Sequence, residues 1–473
     1  MDDTLLLSAI VLLWGPMAAL YLRAVGRRWW WASATNLTVA YYSLILWATY
    51  GVAVSGGPGG AEWVWAVLLA TVAMLGGCLA AAHRRREATR DLAGAFWNRP
   101  QQEKPTRATW ALLWCVTAVS VAVVVLFLHR LGGNVLLRSL GEGIGGVSSE
   151  SVSDLRKRSV YGSAEGDGPY MAAGYVMQFR AHFLPIVMLT AMFIAVRASG
   201  RARRAGLALL VLSAAACLVA NGATGQRWPL VLPFGLLTYL CLVGYYNGWT
   251  AMPAGHRRVL ATVGLMSLAL SVSLFVLLTI ALGRAGSAGT APGRAREVVV
   301  AGIERIAVIP AEYDARAVDL LEKHPPAMGR GWLRGLLMPL PNRLERRITK
   351  NWSPVGGPRW LHFQYGGSRE GNAPLGRWGA LWFDFRLPGM VIFGFLAGYL
   401  THLYDRWCFR WRRSALDTVC WQWGAVSIAL ATSPDMLLLT GFAAAMLIAG
   451  ADRLLNRPLG RPARQPAAGE AAG

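Results

Sequence analysis

Eleven long apolar runs constrain the fold of this sequence more than any other feature. Most are about 18–25 residues long, and a helix of that length crosses about 30 Å of hydrocarbon. Their apolarity is continuous and does not alternate, which favours helices over the strands of a membrane barrel. The sequence therefore predicts an all-α polytopic integral membrane protein with about 11 transmembrane helices. The runs lie at about residues 4–22, 33–54, 62–82, 108–128, 172–196, 206–220, 228–247, 258–282, 379–403, 415–432 and 434–452.

Composition agrees with this interpretation and excludes a soluble multidomain protein. Hydrophobic residues make up 55% of the 473 residues, whereas about 45–50% is usual in soluble domains. The net charge of +22 is typical of proteins that bind nucleic acid. Here, however, most arginines flank apolar runs, which is the pattern of topology signals and lipid-headgroup contacts. We therefore expect membrane lipids as partners and no nucleic acid.

The placement of arginine predicts the topology. Arginines follow runs one, three, five, nine and eleven and precede run eight, whereas the short loops on the opposite side carry a single arginine between them. Positively charged short loops face the cytoplasm. This predicts an N-terminus outside and a C-terminus in the cytoplasm. The first run has no basic residue before it, so we expect a retained helix and not a cleaved signal.

Four regions follow from this pattern. Residues 1–283 carry helices one to eight, with an exterior loop at about 131–171. Residues 284–378 form one large exterior loop, in which helical spacing around 303–316 predicts an amphipathic helix on the membrane surface. Residues 379–452 carry the last three helices, and the Pro/Ala/Gly-rich residues 453–473 form a disordered cytoplasmic tail.

Run five and the turn between runs six and seven contain ionisable residues within or beside the membrane, where burying a charge is energetically costly. Arg180 and His182 lie inside run five, and ionisable groups inside a span usually face a cavity or a partner. The alternative is an interfacial position near the start of the span, with no part in a site. Arg227 follows a glycine-containing turn at 221–226, where it is suited to a phosphate or pyrophosphate. The simpler alternative is that Arg227 extends to lipid headgroups.

The long loop and the start of run nine carry further candidates. The charged residues of these segments all lie on one predicted face of the membrane. As a group they favour a site for an anionic ligand, although each charge alone fits a solvated surface. The arginines suited to pyrophosphate are Arg180, Arg227, Arg305, Arg330, Arg343 and Arg369. The candidates for a base are His362, Glu370 and Asp384.

Other sequence patterns restrict the chemistry or suggest packing. No Walker loop, GxSxG motif or metal-ligand spacing occurs, so we expect neither a metal nor a cofactor. The Gly394-xxx-Gly398 spacing predicts close helix packing. Tyr42, Trp63 and Trp378 belong to a set of aromatic residues at the ends of runs, where we expect an interfacial belt.

One stretch runs from GNAPLG at 371–376 through WFDFRLPGM at 382–390 to GFLAG at 394–398. It resembles the oligosaccharide repeat-unit polymerases, or O-antigen polymerase-like proteins, and two further stretches agree. TGQR at 224–227 is similar to the small-residue and arginine step between adjacent spans of that family, and residues 328–343 are similar to its Gly-then-Pro-Arg stretch. Two departures occur: Gly376-Arg377 stands where the family often has Gly-Glu, and Asn342 separates Pro341 from Arg343.

The resemblance implies a bacterial plasma-membrane glycosyltransferase that polymerises polyprenyl-pyrophosphate-linked oligosaccharide repeat units into a cell-surface polysaccharide. A flippase and a chain-length regulator are then expected partners. Two alternatives stay open: a ligase that transfers the lipid-linked glycan to another acceptor, and a transporter or flippase of lipid-linked sugars. A membrane scaffold without catalytic activity is the remaining interpretation.

Overall fold

A computed structural model describes most of the apolar segments and little of the polar ones. The described residues are 3–25, 33–83, 105–132, 134, 137, 173–224, 227–246, 254–281, 300, 307–321, 325–330, 333, 337, 344, 347–350, 376–410, 414–431 and 441–456. Within these ranges the regular secondary structure is helical throughout. Eight of the described helices are long and apolar enough to cross a membrane. The protein is therefore a polytopic helical membrane protein, and the count of eleven crossings stays a prediction.

Each predicted run overlaps a helix. The first four are α1 (Asp3–Val25), α2 (Ala34–Val54), α3 (Gly60–His83) and α4 (Arg107–Leu131). Helix α5 has three consecutive segments, Ala173–Gln178, the π-helical Phe179–Phe183 and Leu184–Arg197. Then come α6 (Gly200–Gly222), α7 (Arg227–Tyr246), α8 (Ala254–Ala281), the loop helix α9 (Ile309–Leu321), α10 (Arg377–Phe409), α11 (Ala415–Leu430) and α12 (Gly441–Leu455).

The helices pack around two apolar cores. One core joins α1, α2 and α3 to α9 and α10. The other joins α4 to α8 with α11 and α12, and residues from the end of α10 also enter it. Helix α10 therefore connects the two halves of the bundle.

Helix α10 is a hairpin of two limbs rather than one straight span. The Trp378 ring lies 3.4 Å from where a Cβ on Gly394 would be, although in a straight helix these residues would be about 24 Å apart. The chain reverses at Arg386, whose φ of 57° and ψ of −159° are not helical. The first limb (377–385) thus folds back on the second limb (387–409). Because Arg377 stacks on Tyr42, near the middle of α2, the first limb begins inside the bundle.

The polar loop supplies the hydrogen bonds that this reversal removes. Pro388 has no N–H, so the carbonyl of Asp384 loses its helical donor, and the Met328 N–H donates to that carbonyl at 2.8 Å. The Ala327 N–H donates to the neighbouring Phe383 carbonyl at 3.2 Å. Residues 325–330 are thereby fixed to the tip of the hairpin.

The second limb of α10 packs closely on α3, as the glycine spacing predicts. A Cβ on Gly394 would lie 2.8 Å from the Ala70 carbonyl oxygen, and one on Gly398 would collide with the Met74 carbonyl. Glycine is required at both positions because the two backbones are in contact.

Polar contacts group helix termini at one end of the bundle, which we call the Asp405 end. The Asp405 carboxylate accepts hydrogen bonds from the Ala34 and Thr35 N–H groups, both at 2.8 Å, and so caps α2. Thr109 Oγ1 donates to Asp452 at 2.7 Å, which joins the start of α4 to the end of α12. The starts of α2 and α4 therefore lie with the ends of α10 and α12, as alternating helix directions require. Which end faces the cytoplasm stays a prediction.

The other end of the bundle, which we call the α9 end, bears on two expectations. A loop helix is present as predicted, and α9 buries Ala311, Ala315 and Val318 against the bundle, while its place relative to the membrane surface stays a prediction. Tyr42, Trp63 and Trp378 are 1%, 2% and 0% exposed and pack between helices, so they do not form an interfacial belt.

Candidate functional site

A π-helical bulge interrupts α5 at the residues that sequence analysis singled out. The Leu184 N–H donates to the Phe179 carbonyl, five residues back. In this register Pro185 would be the donor to the Arg180 carbonyl, but proline has no N–H. The Asn221 side chain replaces it, because Nδ2 donates to that carbonyl at 3.1 Å. The turn between α6 and α7 thus stabilises the bulge.

The same turn orients the side chain of Arg180, which is 4% exposed. Arg180 Nη1 donates to Thr224 Oγ1 at 3.0 Å and to Asn221 Oδ1 at 3.4 Å. Both acceptors are uncharged side-chain oxygens, and the two contacts orient the guanidinium. Arg227 follows three residues after Thr224, as the first residue of α7.

The side chain of His182 points from the bulge toward a different neighbour, Trp423. Its imidazole is 9% exposed and meets the Trp423 ring of α11 edge to face, with 6.1 Å between ring centroids. The Trp423 indole in turn lies against Gly441, the first residue of α12, and leaves no room there for a Cβ. Among the described residues, neither nitrogen of His182 nor Trp423 Nε1 has a hydrogen-bond partner.

A second polar contact lies further along α11, where α10 begins. Arg377 Nε donates to the Ala431 carbonyl at 2.9 Å, and Nη2 donates to the Ile428 and Ala431 carbonyls, each at 2.7 Å. The guanidinium also lies 4.6 Å from the centroid of the Tyr42 ring. Arg377 therefore caps the end of α11, and in the described part of the chain its buried Nη1 has no partner.

The start of α10 is itself capped from the polar loop. Asp314 of α9 is 2% exposed and accepts hydrogen bonds from the Gly376 N–H at 2.6 Å and the Gly379 N–H at 3.2 Å. Burial raises the pKa of Asp314 to about 7, although the two backbone donors act in the opposite direction. A carboxyl group with a pKa near neutral pH thus holds the polar loop to the hairpin.

The bulge and this junction lie on neighbouring turns of α11. Trp423, which contacts His182, is separated from Ile428 and Ala431 by about 8–12 Å of helix axis. His182 and Arg377 therefore contact α11 within a few turns of each other, and Arg180 lies two residues from His182 on the bulge. Such groups can bind an anionic headgroup and can accept a proton.

The structure brings some of the predicted site residues together. Arg180 meets the turn that precedes Arg227, whose side chain lies outside the description. Asp384 is 1% exposed at the tip of the hairpin, and the exposed Arg330 ends the segment bonded to that tip. These form two separate groups, one at the bulge and one at the hairpin. Five predicted residues lie outside the described ones: His362, Glu370, Arg305, Arg343 and Arg369.

Arg377 and Asp314 are not among the site residues predicted from the sequence. A signal for Asp314 exists, because it shares a helix face with the buried Ala311, Ala315 and Val318, and an acid on an apolar face usually has a partner. Arg377 follows Gly376 directly before an apolar run, which marks it only as a flanking charge. Comparison with protein-family models, with curated proteins and with solved structures found no match.

Proposed function

We propose that this protein is a membrane glycosyltransferase that joins polyprenyl-pyrophosphate-linked oligosaccharide repeats into a cell-surface polysaccharide on the outer face of the plasma membrane. One observation carries the proposal. Arg180 is buried inside an apolar span at a helix break, and the turn that orients it leads directly to Arg227. An arginine in a span is costly and usually serves function.

The chemistry explains why arginine suits this position. The donor is already activated, because its sugar is linked to a pyrophosphate on the lipid. When the acceptor hydroxyl attacks the anomeric carbon, negative charge grows on the departing pyrophosphate. A preoriented guanidinium stabilises that charge with two parallel hydrogen bonds. Thr224 and Asn221 give Arg180 such preorientation.

A transporter of lipid-linked sugars is the second candidate, and a specific observation favours it. The first limb of α10 begins inside the bundle where α11 ends, and Arg377 joins the two termini. Broken helices that meet within a bundle are typical of substrate sites in secondary transporters. The resemblance of 371–398 to the polymerases, and the long polar loop, favour the glycosyltransferase.

Reconstitution of the purified protein with a lipid-linked oligosaccharide tests the proposal. We expect a ladder of products spaced by one repeat unit. Transfer of the glycan to a different acceptor, without a ladder, would identify a ligase. Movement of intact lipid-linked substrate across the vesicle, without new glycosidic bonds, would identify a transporter.

Substitutions in the same assay test the role of the arginines. Arg180→Lys and Arg227→Lys keep the charge but lose the planar fork, so we expect the ladder to disappear. Arg201→Lys is the matched control, because Arg201 is exposed in the first turn of α6. Wild-type ladders from both test variants would contradict the assignment.

A further inference from the structure

His182 is a buried ring with unused hydrogen-bonding capacity. A neutral imidazole carries one N–H donor and one acceptor nitrogen, and in the described structure neither nitrogen has a partner. Each unpaired buried polar group costs about 1–3 kcal/mol. Trp423 Nε1 beside it is also unpaired. Within the described part of the chain, no polar group satisfies either side chain.

The position of the ring distinguishes it from the other buried titratable groups. Asp314 is engaged by two backbone N–H groups of α10. Asp405 is engaged by the Ala34 and Thr35 N–H groups at the start of α2 and by the Trp421 indole N–H at 3.1 Å. His182 lies two residues from Arg180, on a bulge that departs from regular helix. Bulges of this type often occur at functional sites.

We propose that His182 is the group that accepts the proton of the acceptor hydroxyl in the glycosyl transfer. The inference rests on the proposed function and adds a residue to it. It differs from the sequence-based candidates His362, Glu370 and Asp384.

The acceptor sugar O–H donates to the free imidazole nitrogen, and its oxygen forms a bond to the anomeric carbon of the donor. The bond from that carbon to the pyrophosphate oxygen breaks, and the electron pair leaves with the polyprenyl pyrophosphate. The proton moves to His182 and then to the released pyrophosphate or to water, which returns the imidazole to its neutral form.

The bulge directs its two ionisable side chains to different neighbours, so that donor and acceptor can approach it from two sides. Arg180 points to the turn between α6 and α7, whereas His182 points to α11 and the start of α12. The donor pyrophosphate binds on the Arg180 side, and the acceptor sugar binds on the His182 side.

Three variants in the reconstituted assay test this inference. His182→Gln keeps a polar side chain but cannot accept the proton, and loss of a general base slows a reaction roughly 100-fold or more. We expect that loss in turnover, with binding of the lipid-linked donor retained. His182→Ala should regain activity when free imidazole is added, which a purely structural role would not produce.

His402 provides the control. It is also buried, at 2% exposure, and in the described structure both of its ring nitrogens lack partners, but it lies near the Asp405 end. His402→Gln should keep wild-type turnover. Equal losses in both glutamine variants, no response of His182→Ala to imidazole, or full turnover in His182→Gln would each overturn the inference. An inactive wild-type protein would instead overturn the proposed function.

Discussion

The Asp314 carboxylate accepts a hydrogen bond from the Gly376 N–H at 2.6 Å, which fixes the polar loop to the first turn of α10. The contact joins residues that are far apart in sequence. It places a negative charge at a helix N-terminus, where the helix dipole is favourable. Burial opposes that charge and brings the pKa to about 7.

The stability of this contact should depend on pH. The pKa of Asp314 rises from 3.8 to about 7 on folding, so folding takes up a proton between these values. The contribution of Asp314 to the free energy of unfolding is therefore fully present below pH 3.8 and is lost as the pH rises through about 7. At about 1.4 kcal/mol per pKa unit, the loss is about 4 kcal/mol.

Asp314→Asn removes this titration. We expect the difference in Tm between wild type and Asp314→Asn to shift in favour of the variant as pH rises from about 5 to about 8. Scanning fluorimetry in detergent measures it. Asp319→Asn is the control, because Asp319 is exposed on the same helix. Parallel curves for wild type and Asp314→Asn would show that Asp314 does not titrate in this range.

The hairpin tip should tolerate glycine better than alanine at position 386. Arg386 has a φ of 57°, a conformation that strains a residue with a side chain by about 1–3 kcal/mol. Both variants lose the bond from Arg386 Nη1 to the Trp382 carbonyl, which measures 3.3 Å. Only glycine relieves the strain, so Arg386→Gly should have the higher Tm. A higher Tm for Arg386→Ala would contradict the reversal at this residue.

One added methyl group at the contact between α3 and α10 should destabilise the protein. Gly398→Ala places a Cβ against the Met74 carbonyl, and such overpacking costs about 1–3 kcal/mol. Gly450→Ala is the control, because nothing lies within 4 Å of that position in α12. There alanine should gain about 0.5–1 kcal/mol through its helix preference. Thermal unfolding of both variants measures the difference, and similar values would argue against the close crossing.

Much of the helical architecture could be predicted, because apolar length is a local property. All eleven runs overlap helices. The two breaks also carry a local signal, since Pro185 and Pro388 each remove a backbone donor inside a run. The donor that replaces it comes from a distant part of the sequence. Asn221 donates to the Arg180 carbonyl, and Met328 donates to the Asp384 carbonyl.

The candidate site could be predicted only in part, for the same reason. A charge in a span, such as Arg180, is visible in sequence. The three carbonyl contacts of Arg377 and the two backbone donors of Asp314 depend on folding between distant segments. The interfacial position predicted for Tyr42 and Trp378 is wrong, because the α10 hairpin buries both rings. No periodicity in the sequence indicates that hairpin.

The hydroxyl of Thr224 should matter through Arg180. Thr224→Val keeps the shape but removes the acceptor that lies 3.0 Å from Arg180 Nη1, and a hydrogen bond to a charged group contributes about 1.5–3 kcal/mol. If Arg180 must be preoriented for the pyrophosphate, the transfer rate falls roughly tenfold or more. Thr224→Ser retains the hydroxyl and should keep most of the rate. Initial rates in the reconstituted assay compare the two, and equal rates would show that the Thr224 hydroxyl does not position the guanidinium for the reaction.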